Sequence, residues 1–483
     1  MCNNRCQVSG VSHLWRPLTP DTWHPAPDTF FMGLLDTFKS REATKRVVLI
    51  GLDGTPYTLV TRFIEDGTMP QMAELVRRGT LLQMDTSIPD ISSVAWTSFM
   101  TGANPGRHGV YGFLDLQPNS YKIYFPNSTH IHSETLWDVA GGAGRRSVVI
   151  NVPSTYPAKP LNGVLVSGFV AIDLNKATYP TQLVPKLREL DYRVDVDARK
   201  VQQSHDALME DILKTLERRV ETLLYLFDSE KWDLFIGVIT CTDRLQHFFW
   251  DAIEDDNHKY HSGFREVYRR ADNFLGQIAE RLGDETLLIM SDHGFTGIKK
   301  QVYLNRWLMD NGYLKLNDNA RSVEDIAEGS CAFALDPGRV YINVKGRYPN
   351  GAVDPSDRKK LADEIKQGLS EIAADGAPIA KRIYERGELF CGRCIESAPD
   401  LCVQSVYGYD LKGAVNKQEL MDREVFTGMH TQDDATLFIN EPASAFRAGK
   451  PHITDVAPTV LEALGLGVPK TMDGRSLFKN HLR

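Results

Sequence analysis

Aspartate, histidine and serine side chains stand at the ends of short apolar segments and on turns along this 483-residue chain. Carboxylates and imidazoles bind divalent metal ions, and a hydroxyl activated by such an ion is a nucleophile for phosphorus. Side chains from separate strand ends meet at one edge of a parallel sheet, where open α/β folds bind their ligands. The sequence therefore predicts a metal-dependent phosphoryl-transfer enzyme with these candidate residues: Asp53, Ser92, Asp243, His247, Asp292, His293 and His430.

Asp292 and His293 directly follow the apolar run in LLIMSDHGF. Gly294 allows the backbone to turn after them without steric cost, so both side chains are able to face one metal ion. Asp53 ends VVLIGLDG in a similar way, at the carboxyl end of a predicted buried strand. The alternative is that the aspartates are turn or helix-capping residues and that His293 is exposed.

Asp243 and His247 are four residues apart in TCTDRLQHFFW, after a predicted strand over 234–239. One helical turn places them on the same face, which suits a shared metal ion. His430, in GMHTQDDATLFI, is the candidate for a third protein ligand, because a catalytic zinc commonly takes three and keeps one position open. The alternative is a capping aspartate with a core histidine, beside the aromatic residues that follow.

The candidate nucleophile lies in PDISSVAWTSFMTGANPGRHG. Ser92 and Ser93 precede a predicted short helix that ends near Gly102, and a hydroxyl at a helix start lies at the positive end of the dipole. Coordination to a divalent ion would lower the pKa of such a hydroxyl further. The alternative is that both serines cap the helix. His108 is interpreted as structural support for the end of this helix.

Strands and helices alternate from Lys45 onwards, which predicts an α/β fold with a doubly wound, mainly parallel central sheet and helices on both faces. The predicted strands include 47–50, 147–150, 164–166, 234–239, 286–290 and 435–439. Predicted helices include one from Pro70 to Gly79, one over 205–228 and one near 455–464. They pack around these strands.

The domain organisation follows from where this alternation begins and breaks. Residues 1–45 lack sustained periodicity and predict an irregular N-terminal segment, in which Met32 is a candidate for the true start. Residues 46–480 are predicted to form one domain, with an inserted subdomain or lid at about 300–425. A charged helix at 358–373 and several Gly and Pro turns mark this insertion.

Composition restricts the partners. The 63 acidic and 55 basic residues give a net charge of −8, which argues against binding a nucleic-acid polymer. No apolar run reaches the ~18 to 20 residues that span a bilayer, and the first forty residues lack the apolar core of a secretory signal. The expected location is therefore cytoplasmic, and the expected partner is a small phosphorylated substrate.

Five motifs, in order, resemble the alkaline phosphatase superfamily, and most closely its type I phosphodiesterase and nucleotide pyrophosphatase family. They are GLDG, SSVAWTSFMTG with NPGRHG, TDRLQH, SDHGF and a late GMH, within residues 46–475. The resemblance implies an alkaline-phosphatase-like catalytic domain and the hydrolysis of phosphate esters through a phosphoserine on Ser92.

The resemblance also implies two divalent metal ions, of which zinc fits the mixed ligands best and manganese or iron are possible. One ion would be held by Asp53, Ser92, Asp292 and His293. The other would be held by Asp243, His247 and His430.

The substrate is less well specified than the metals. The family's nucleotide pyrophosphatases usually carry an asparagine three residues after the nucleophile, where this chain has Ala95. Lys122, in the variable segment 115–135, is the substrate-binding candidate. A hydrolase of the phosphodiesterase or nucleotide pyrophosphatase type is expected, with a phosphomonoesterase or phosphotransferase of the same superfamily as alternatives. A metal-containing binding protein without turnover is the alternative from another class.

Overall fold

Short runs of apolar residues form the strands, because a strand that is buried on both faces needs apolar side chains at consecutive positions. A computed structural model describes residues 45–479. Apart from Lys45, the predicted N-terminal segment and the candidate start at Met32 lie outside the described residues. The strands are β1 (Val47–Leu52), β2 (Thr80–Met84), β3 (Asp115–Leu116), β4 (Ile123–Tyr124), β5 (Ser147–Ile150), β6 (Gly163–Val166), β7 (Thr178–Tyr179), β8 (Leu234–Ile239), β9 (Thr286–Met290), β10 (Gly294–Gly297), β11 (Lys300–Tyr303), β12 (Ala332–Leu335), β13 (Arg339–Ile342), β14 (Ala373–Ala374), β15 (Ala377–Pro378), β16 (Ala380–Glu385), β17 (Leu401–Ser405), β18 (Tyr409–Lys412), β19 (Met421–Asp422), β20 (Gly428–Thr431) and β21 (Ala435–Ile439).

The α-helices are those that the 3.6-residue spacing of apolar side chains predicts, together with several short ones. They are α1 (Tyr57–Glu65), α2 (Pro70–Arg78), α3 (Ser92–Thr101), α4 (Pro105–His108), α5 (Leu136–Gly142), α6 (Val184–Glu189), α7 (His205–Ser229), α8 (Cys241–Glu254), α9 (His261–Ala279), α10 (Leu304–Asp310), α11 (Arg358–Ser370), α12 (Arg386–Leu389) and α13 (Val456–Ala463).

The central sheet has eight strands in the order β2-β21-β9-β1-β8-β5-β6-β7. Strands β9, β1, β8, β5 and β6 run parallel to one another. Strand β21 is antiparallel to both of its neighbours, and β7 is an antiparallel edge strand. This topology confirms the predicted mainly parallel sheet.

Helices cover both faces of this sheet, as predicted. Alternate residues of β1 point to opposite sides, so that Val48 and Ile50 pack into one apolar cluster and Val47 and Leu49 into another. The first cluster contains the buried faces of α7, α8 and α9. The second contains those of α3, α5 and α13. The two-sided burial explains why the strands read as continuous apolar runs.

Most predicted boundaries agree with the structure, and one requires correction. Strands β8, β9 and β21 have the predicted bounds. The charged helix, predicted to reach Ala373, ends at Ser370. Ala373 instead pairs with Pro378 in a two-stranded hairpin whose turn holds Asp375 and Gly376 at positive φ. A turn of that geometry reverses the chain and cannot continue a helix.

Residues from 302 to 415 contribute most of a third apolar cluster, which also includes Tyr121 from the core part of the chain. Its sheet has the order β12-β13-β17-β16, and α11 packs on it. The hairpin β3-β4 lies beside it, with Leu116 and Ile123 against the cluster. We call residues 302–415 the inserted unit. Its predicted role as a lid stays a prediction.

Between residues 45 and 479, no helix has the length and apolar character that crossing a membrane requires. The cytoplasmic location stays a prediction from the sequence.

Candidate active site

Three adjacent parallel strands place the acidic candidates at one edge of the central sheet. Strand β1 lies between β8 and β9, and Asp53 directly follows its last residue. Asp292 follows β9 after a single residue, and α8, which carries Asp243, begins two residues after β8. All three carboxylates are buried, because the carboxyl ends of parallel strands meet at one edge.

Ser92 is the first residue of α3, directly after Ile91, whose backbone is extended. No side chain caps this helix start, so neither Ser92 nor Ser93 has the capping role. The helix ends at Gly102 in the left-handed conformation. The start of α3 brings the Ser92 hydroxyl to the edge that carries Asp53.

The first donor set consists of Asp53, Ser92, Asp292 and His293. Ser92 Oγ lies 3.4 Å from Asp53 Oδ1 and 3.1 Å from His293 Nε2. His293 Nε2 is 3.3 Å from Asp292 Oδ2 and 4.0 Å from Asp53 Oδ1. The four side chains that the sequence assigns to one metal ion therefore converge.

The second donor set consists of Asp243, His247 and His430. The helical spacing on α8 puts Asp243 Oδ1 3.4 Å from His247 Nε2. His430 lies on β20, which pairs with β10, the strand that begins directly after His293. His430 Nε2 is 3.3 Å from Asp243 Oδ1 and 3.0 Å from His247 Nε2. Pairing of β10 with β20 thus brings His430 across 183 residues of chain to His247.

These separations fit a bound divalent cation. Ligands of a tetrahedral zinc, at ~2.0–2.1 Å from the ion, lie about 3.3–3.4 Å from one another. Asp243 Oδ1 and Asp292 Oδ2 are buried oxygens that accept no hydrogen bond in the described chain. A buried carboxylate oxygen without a donor is costly, and a cation between the ligands would satisfy both. The residues present therefore fit the metal ions that the motifs predict.

Each of the three imidazoles has its Nδ1 atom next to a backbone carbonyl oxygen, which orients the ring for metal binding through Nε2. Nδ1 of His247 lies 3.2 Å from the Gly428 carbonyl oxygen, and Nδ1 of His430 lies 2.9 Å from that of Asp90. Nδ1 of His293 lies 3.0 Å from the Gly294 carbonyl oxygen. A carbonyl only accepts, so each Nδ1 carries the hydrogen and each Nε2 presents its lone pair to the donor set.

In each of the three carboxylates, a protein donor binds one oxygen atom. The other oxygen is left to bind a metal ion. The Trp96 indole donates to Asp53 Oδ2 at 3.0 Å. The Gly54 N–H donates to Asp292 Oδ1 at 3.0 Å. The Arg244 guanidinium donates to Asp243 Oδ2 at 3.0 Å. Trp96 and Arg244 were not among the predicted site residues, although they lie inside the motifs SSVAWTSFMTG and TDRLQH.

Arg244 is itself held in place. Its Nε and Nη2 donate to Asp195 Oδ2 at 3.1 and 2.8 Å, and its guanidinium lies over the Phe169 ring at 4.7 Å. Thr240, at the end of β8, donates to Asp195 Oδ1 at 3.3 Å. No sequence signal identifies Asp195, because it comes from a loop that joins the site only in the folded chain.

Burial favours the neutral forms of His247 and His293, whereas at His430 the Asp243 carboxylate outweighs burial and raises the pKa. Burial raises the pKa of Asp53 well above its usual value, and the nearby carboxylates of Asp292 and Asp243 raise it further. Burial lowers the pKa of His247 to about 3 and that of His293 to about 4. Neutral imidazole is the form that binds metals, and a cation would relieve the repulsion among the carboxylates.

The other sequence candidates lie outside the donor sets. His108 is buried, and its Nε2 lies 3.1 Å from Ser98 Oγ, which ties α4 to α3 as the structural interpretation predicts. Ala95 is buried in the core on the α3 side and does not line the cavity described below. Lys122 is exposed and is not among the lining residues, although its neighbour Ile123 is. Substrate binding by Lys122 stays a prediction.

A cavity of about 760 Å³ opens from the donor sets toward the inserted unit. Asp53, Ser92, Asp243, His247 and His430 line its inner end. Residues of the 113–126 segment and of β12, β17 and β18 line its far side. Ser92, Asp53 and the second donor set therefore face a space that is much larger than one phosphate group.

The mainly parallel sheet agrees with the predicted alkaline-phosphatase-like fold, and its carboxyl edge carries the Ser92 hydroxyl beside clustered carboxylates and imidazoles. The family model for type I phosphodiesterase / nucleotide pyrophosphatase matches residues 47–433. The chain belongs to this family, which places it among the phosphoester hydrolases. The family is typically dependent on divalent metals.

Solved structures show the same fold at low sequence identity. Phosphonoacetate hydrolase from Sinorhizobium meliloti 1021, in complex with phosphonoacetate, is 16% identical with a TM-score of 0.60. That match covers 87% of this chain and 96% of the other. Murine ectonucleotide pyrophosphatase / phosphodiesterase 5, in an inactive form with AMP, is 13% identical with a TM-score of 0.54. It covers 88% of this chain and 96% of the other. These matches confirm the predicted alkaline-phosphatase-like fold.

Proposed function

We propose that this chain is a metal-dependent hydrolase of phosphate diesters that works through a phosphoserine intermediate on Ser92. The observation that carries the proposal is the convergence of the Ser92 hydroxyl with two groups of side chains whose ligand atoms lie close enough to hold a metal ion: Asp243, His247 and His430, and Asp53, Asp243 and His293. In the proposal, Asp53, Ser92, Asp292 and His293 hold one divalent ion. Asp243, His247 and His430 hold the other.

The ions supply Lewis acidity, which makes the serine hydroxyl more acidic and neutralises charge on the reacting phosphoryl group. Imidazole and carboxylate ligands favour zinc, and manganese or iron suit the same groups. The protein's own contribution is to fix the ligands. Trp96, the Gly54 N–H and Arg244 hold the carboxylates, and backbone carbonyls hold the imidazoles.

In the first step, Ser92 Oγ attacks phosphorus in line with the leaving oxygen. The new Oγ–P bond forms while the bond from phosphorus to the leaving group breaks, and the leaving group departs with a proton. The α3 N-terminus stabilises negative charge on Oγ. In the second step, water attacks the phosphoserine, the Oγ–P bond breaks, and Ser92 regains its proton.

The size of the cavity favours a diester over a monoester. A monoester substrate carries one substituent, which departs in the first step, whereas a diester carries a second one that stays on phosphorus. The space of about 760 Å³ between Ser92 and the inserted unit has room for both substituents. A phosphomonoesterase or a phosphotransferase remains the alternative within this superfamily.

The test compares bis(p-nitrophenyl) phosphate with p-nitrophenyl phosphate on the purified, zinc-loaded chain. We expect faster cleavage of the diester and loss of cleavage in EDTA. Ser92→Ala should lower kcat on the order of 10³-fold or more, since it removes the nucleophile. Ser93→Ala is the matched control and should keep kcat within a few-fold.

An acid-quenched, phosphorus-labelled substrate should leave label on Ser92 of the wild-type chain and none on Ser92→Ala. Full activity of Ser92→Ala would overturn the nucleophile assignment. Bound metal without turnover of either ester would instead favour a phosphotransferase that needs its own acceptor, or a binding protein.

A further inference from the structure

The far part of the cavity differs in chemistry from its inner end. Beyond the metal-binding side chains, the walls carry mostly apolar residues, from the core loops on one side and from the inserted unit on the other. Leu335, Val403, Leu411 and Val415 come from the apolar cluster of the inserted unit and turn their edges to the cavity. The same wall also carries polar side chains, among them Gln404, Ser405 and Lys412.

Aromatic rings form the opposite wall, beginning directly at the site. Phe169 lies under the guanidinium of Arg244, which contacts Asp243. Phe113 stacks on Phe169 with ring centroids 5.3 Å apart, and Phe125 packs edge-on against Phe113 at 5.2 Å. These three phenylalanines, which we call the phenylalanine wall, line the cavity continuously from the donor sets outwards.

The charges of the cavity do not suit a substrate with several phosphates. Arg244 is paired with Asp195 at 2.8 Å, and Lys412 is paired with Asp410 at 2.8 Å. Both cations are therefore neutralised by carboxylates that line the same cavity. Arg321 is exposed, and its charge is screened by solvent. Among the described lining residues, a polyphosphate chain beyond the reacting group would therefore meet only the exposed Arg321 as a cation that no carboxylate pairs.

The outer end of the cavity is apolar as well. Phe125 is 50% exposed although it lines the cavity, and Ile172, two residues after the lining residue Val170, is 88% exposed. Exposed large apolar side chains that continue an apolar cavity are typical of a binding site for an apolar ligand.

We propose that the far part of the cavity binds an alkyl or acyl chain, so that the substrate is an amphiphilic phosphodiester with a single negative charge. This inference rests on the proposed function for the position of the phosphorus atom. The phosphodiester group would lie at Ser92, and the chain would run along the phenylalanine wall toward Phe125. Because the rings of Phe169, Phe113 and Phe125 form the wall along this path, each added methylene would bury apolar surface, and chain length would contribute to binding.

The first measurement is kcat/KM of the zinc-loaded chain for p-nitrophenyl alkyl phosphates, from the methyl to the octyl ester. Burial of each methylene should raise kcat/KM by up to about fourfold, the equivalent of about 0.8 kcal/mol. We expect a rise of more than about tenfold from methyl to hexyl on the same basis. The phenyl ester and the thymidine 5′-ester serve as the ring-containing and nucleotide comparisons.

The second measurement separates binding from turnover. The second quantity is the dissociation constant of each ester for zinc-loaded Ser92→Ala, measured by calorimetry. It should fall with chain length by the same factor by which kcat/KM rises. If the methyl ester is cleaved but neither quantity depends on chain length, the proposed function stands and this inference is wrong. If no ester is cleaved but affinity still rises with chain length, the apolar site stands and the proposed function fails.

Variants at the outer end provide the specific test. Phe125→Asp and Val170→Asp introduce a charge at partly exposed lining positions and should flatten the dependence of kcat/KM on chain length. Val468→Asp is the control, because Val468 is 39% exposed and is not a lining residue. A phenyl or thymidine ester that outperforms the octyl ester would also overturn the alkyl assignment, since it would show that the site takes a ring.

Discussion

At the scale of single residues, the site follows one rule. Each of its three carboxylates has one oxygen fixed by a protein donor and one oxygen turned to the proposed metal ions. Such outer contacts decide ligand geometry, and their loss commonly costs 10–100-fold in metal affinity. Trp96 and Arg244 are therefore expected to contribute to metal affinity through the carboxylates that they hold.

Trp96→Phe should keep the aromatic packing of α3 and remove the hydrogen bond to Asp53 Oδ2. We expect zinc affinity at the Asp53 side to fall by roughly 10–100-fold. Competition with a chromophoric chelator measures this affinity without any assay of activity. Trp137→Phe is the control, because Trp137 is buried in the same core cluster away from Asp53. Equal affinities of the two variants would contradict the role of Trp96.

The charge-neutral double variant Asp195→Asn with Arg244→Gln tests whether Arg244 positions Asp243. It removes one negative and one positive charge together, so long-range attraction of the metal ion changes little. A loss of roughly 10–100-fold in zinc affinity would then report lost positioning. The visible spectrum of the cobalt-substituted chain should change as well, because it depends on ligand geometry. Wild-type affinity with an unchanged spectrum would refute the role.

At the scale of elements, the short helix α3 holds Ser92 in position because the rest of the helix is packed in the core. Helix α3 starts at Ser92 and is almost wholly buried, and the buried His108 joins α4 to it through Ser98. Burial holds the pKa of His108 at about 3, below its usual value near 6.5. This shift makes the packing of α3 and α4 sensitive to acid.

The sign of that sensitivity follows from proton binding. Between pH 6.5 and about 3 the unfolded chain protonates His108 and the folded chain does not, so this group destabilises the fold as the pH falls. Its contribution is up to about 1.4 kcal/mol per pH unit in that window. His108→Gln should flatten the decrease in unfolding free energy between pH 7 and 5, measured by urea denaturation in EDTA. Parallel curves for both proteins would contradict the shift.

At the scale of the whole molecule, the cavity exists because the inserted unit faces the edge of the central sheet. A buried ion pair fixes the core segment to the unit at this point. Arg339, on β13, donates to Asp115 Oδ1 at 2.5 Å and to the Leu114 carbonyl oxygen at 2.6 Å. Leu114 lines the cavity, so this pair connects folding of the unit to the shape of the substrate site.

Asp115→Asn should therefore destabilise the chain, because it leaves the fully buried Arg339 without its counter-charge. Removal of one partner of a buried pair costs about 3–5 kcal/mol. Asp310→Asn breaks the exposed pair with Arg306 and should cost less than about 1 kcal/mol. Unfolding free energies from denaturant titration compare the two. Equal losses would show that the Arg339 pair is not important for stability.

The sequence predicted much of the core and of the ligand sets, for physical reasons. Strands buried on two faces read as uninterrupted apolar runs, so β8, β9 and β21 were identified with the correct bounds. Local spacing also placed Asp243 and His247 on one helical face. The predicted end of α11 was wrong, because a hairpin that begins three residues after Ser370 outweighs the helical pattern.

The amino-acid sequence by itself determined the fold class, the order of the motifs and the residue types of the site, since each depends on nearby residues. Tertiary structure alone decided which atoms meet. Pairing of β10 with β20 delivers His430, a loop delivers Asp195 to Arg244, and the inserted unit closes an apolar cavity. These contacts join residues far apart in the chain, and no local pattern encodes a contact whose stability comes from long-range packing.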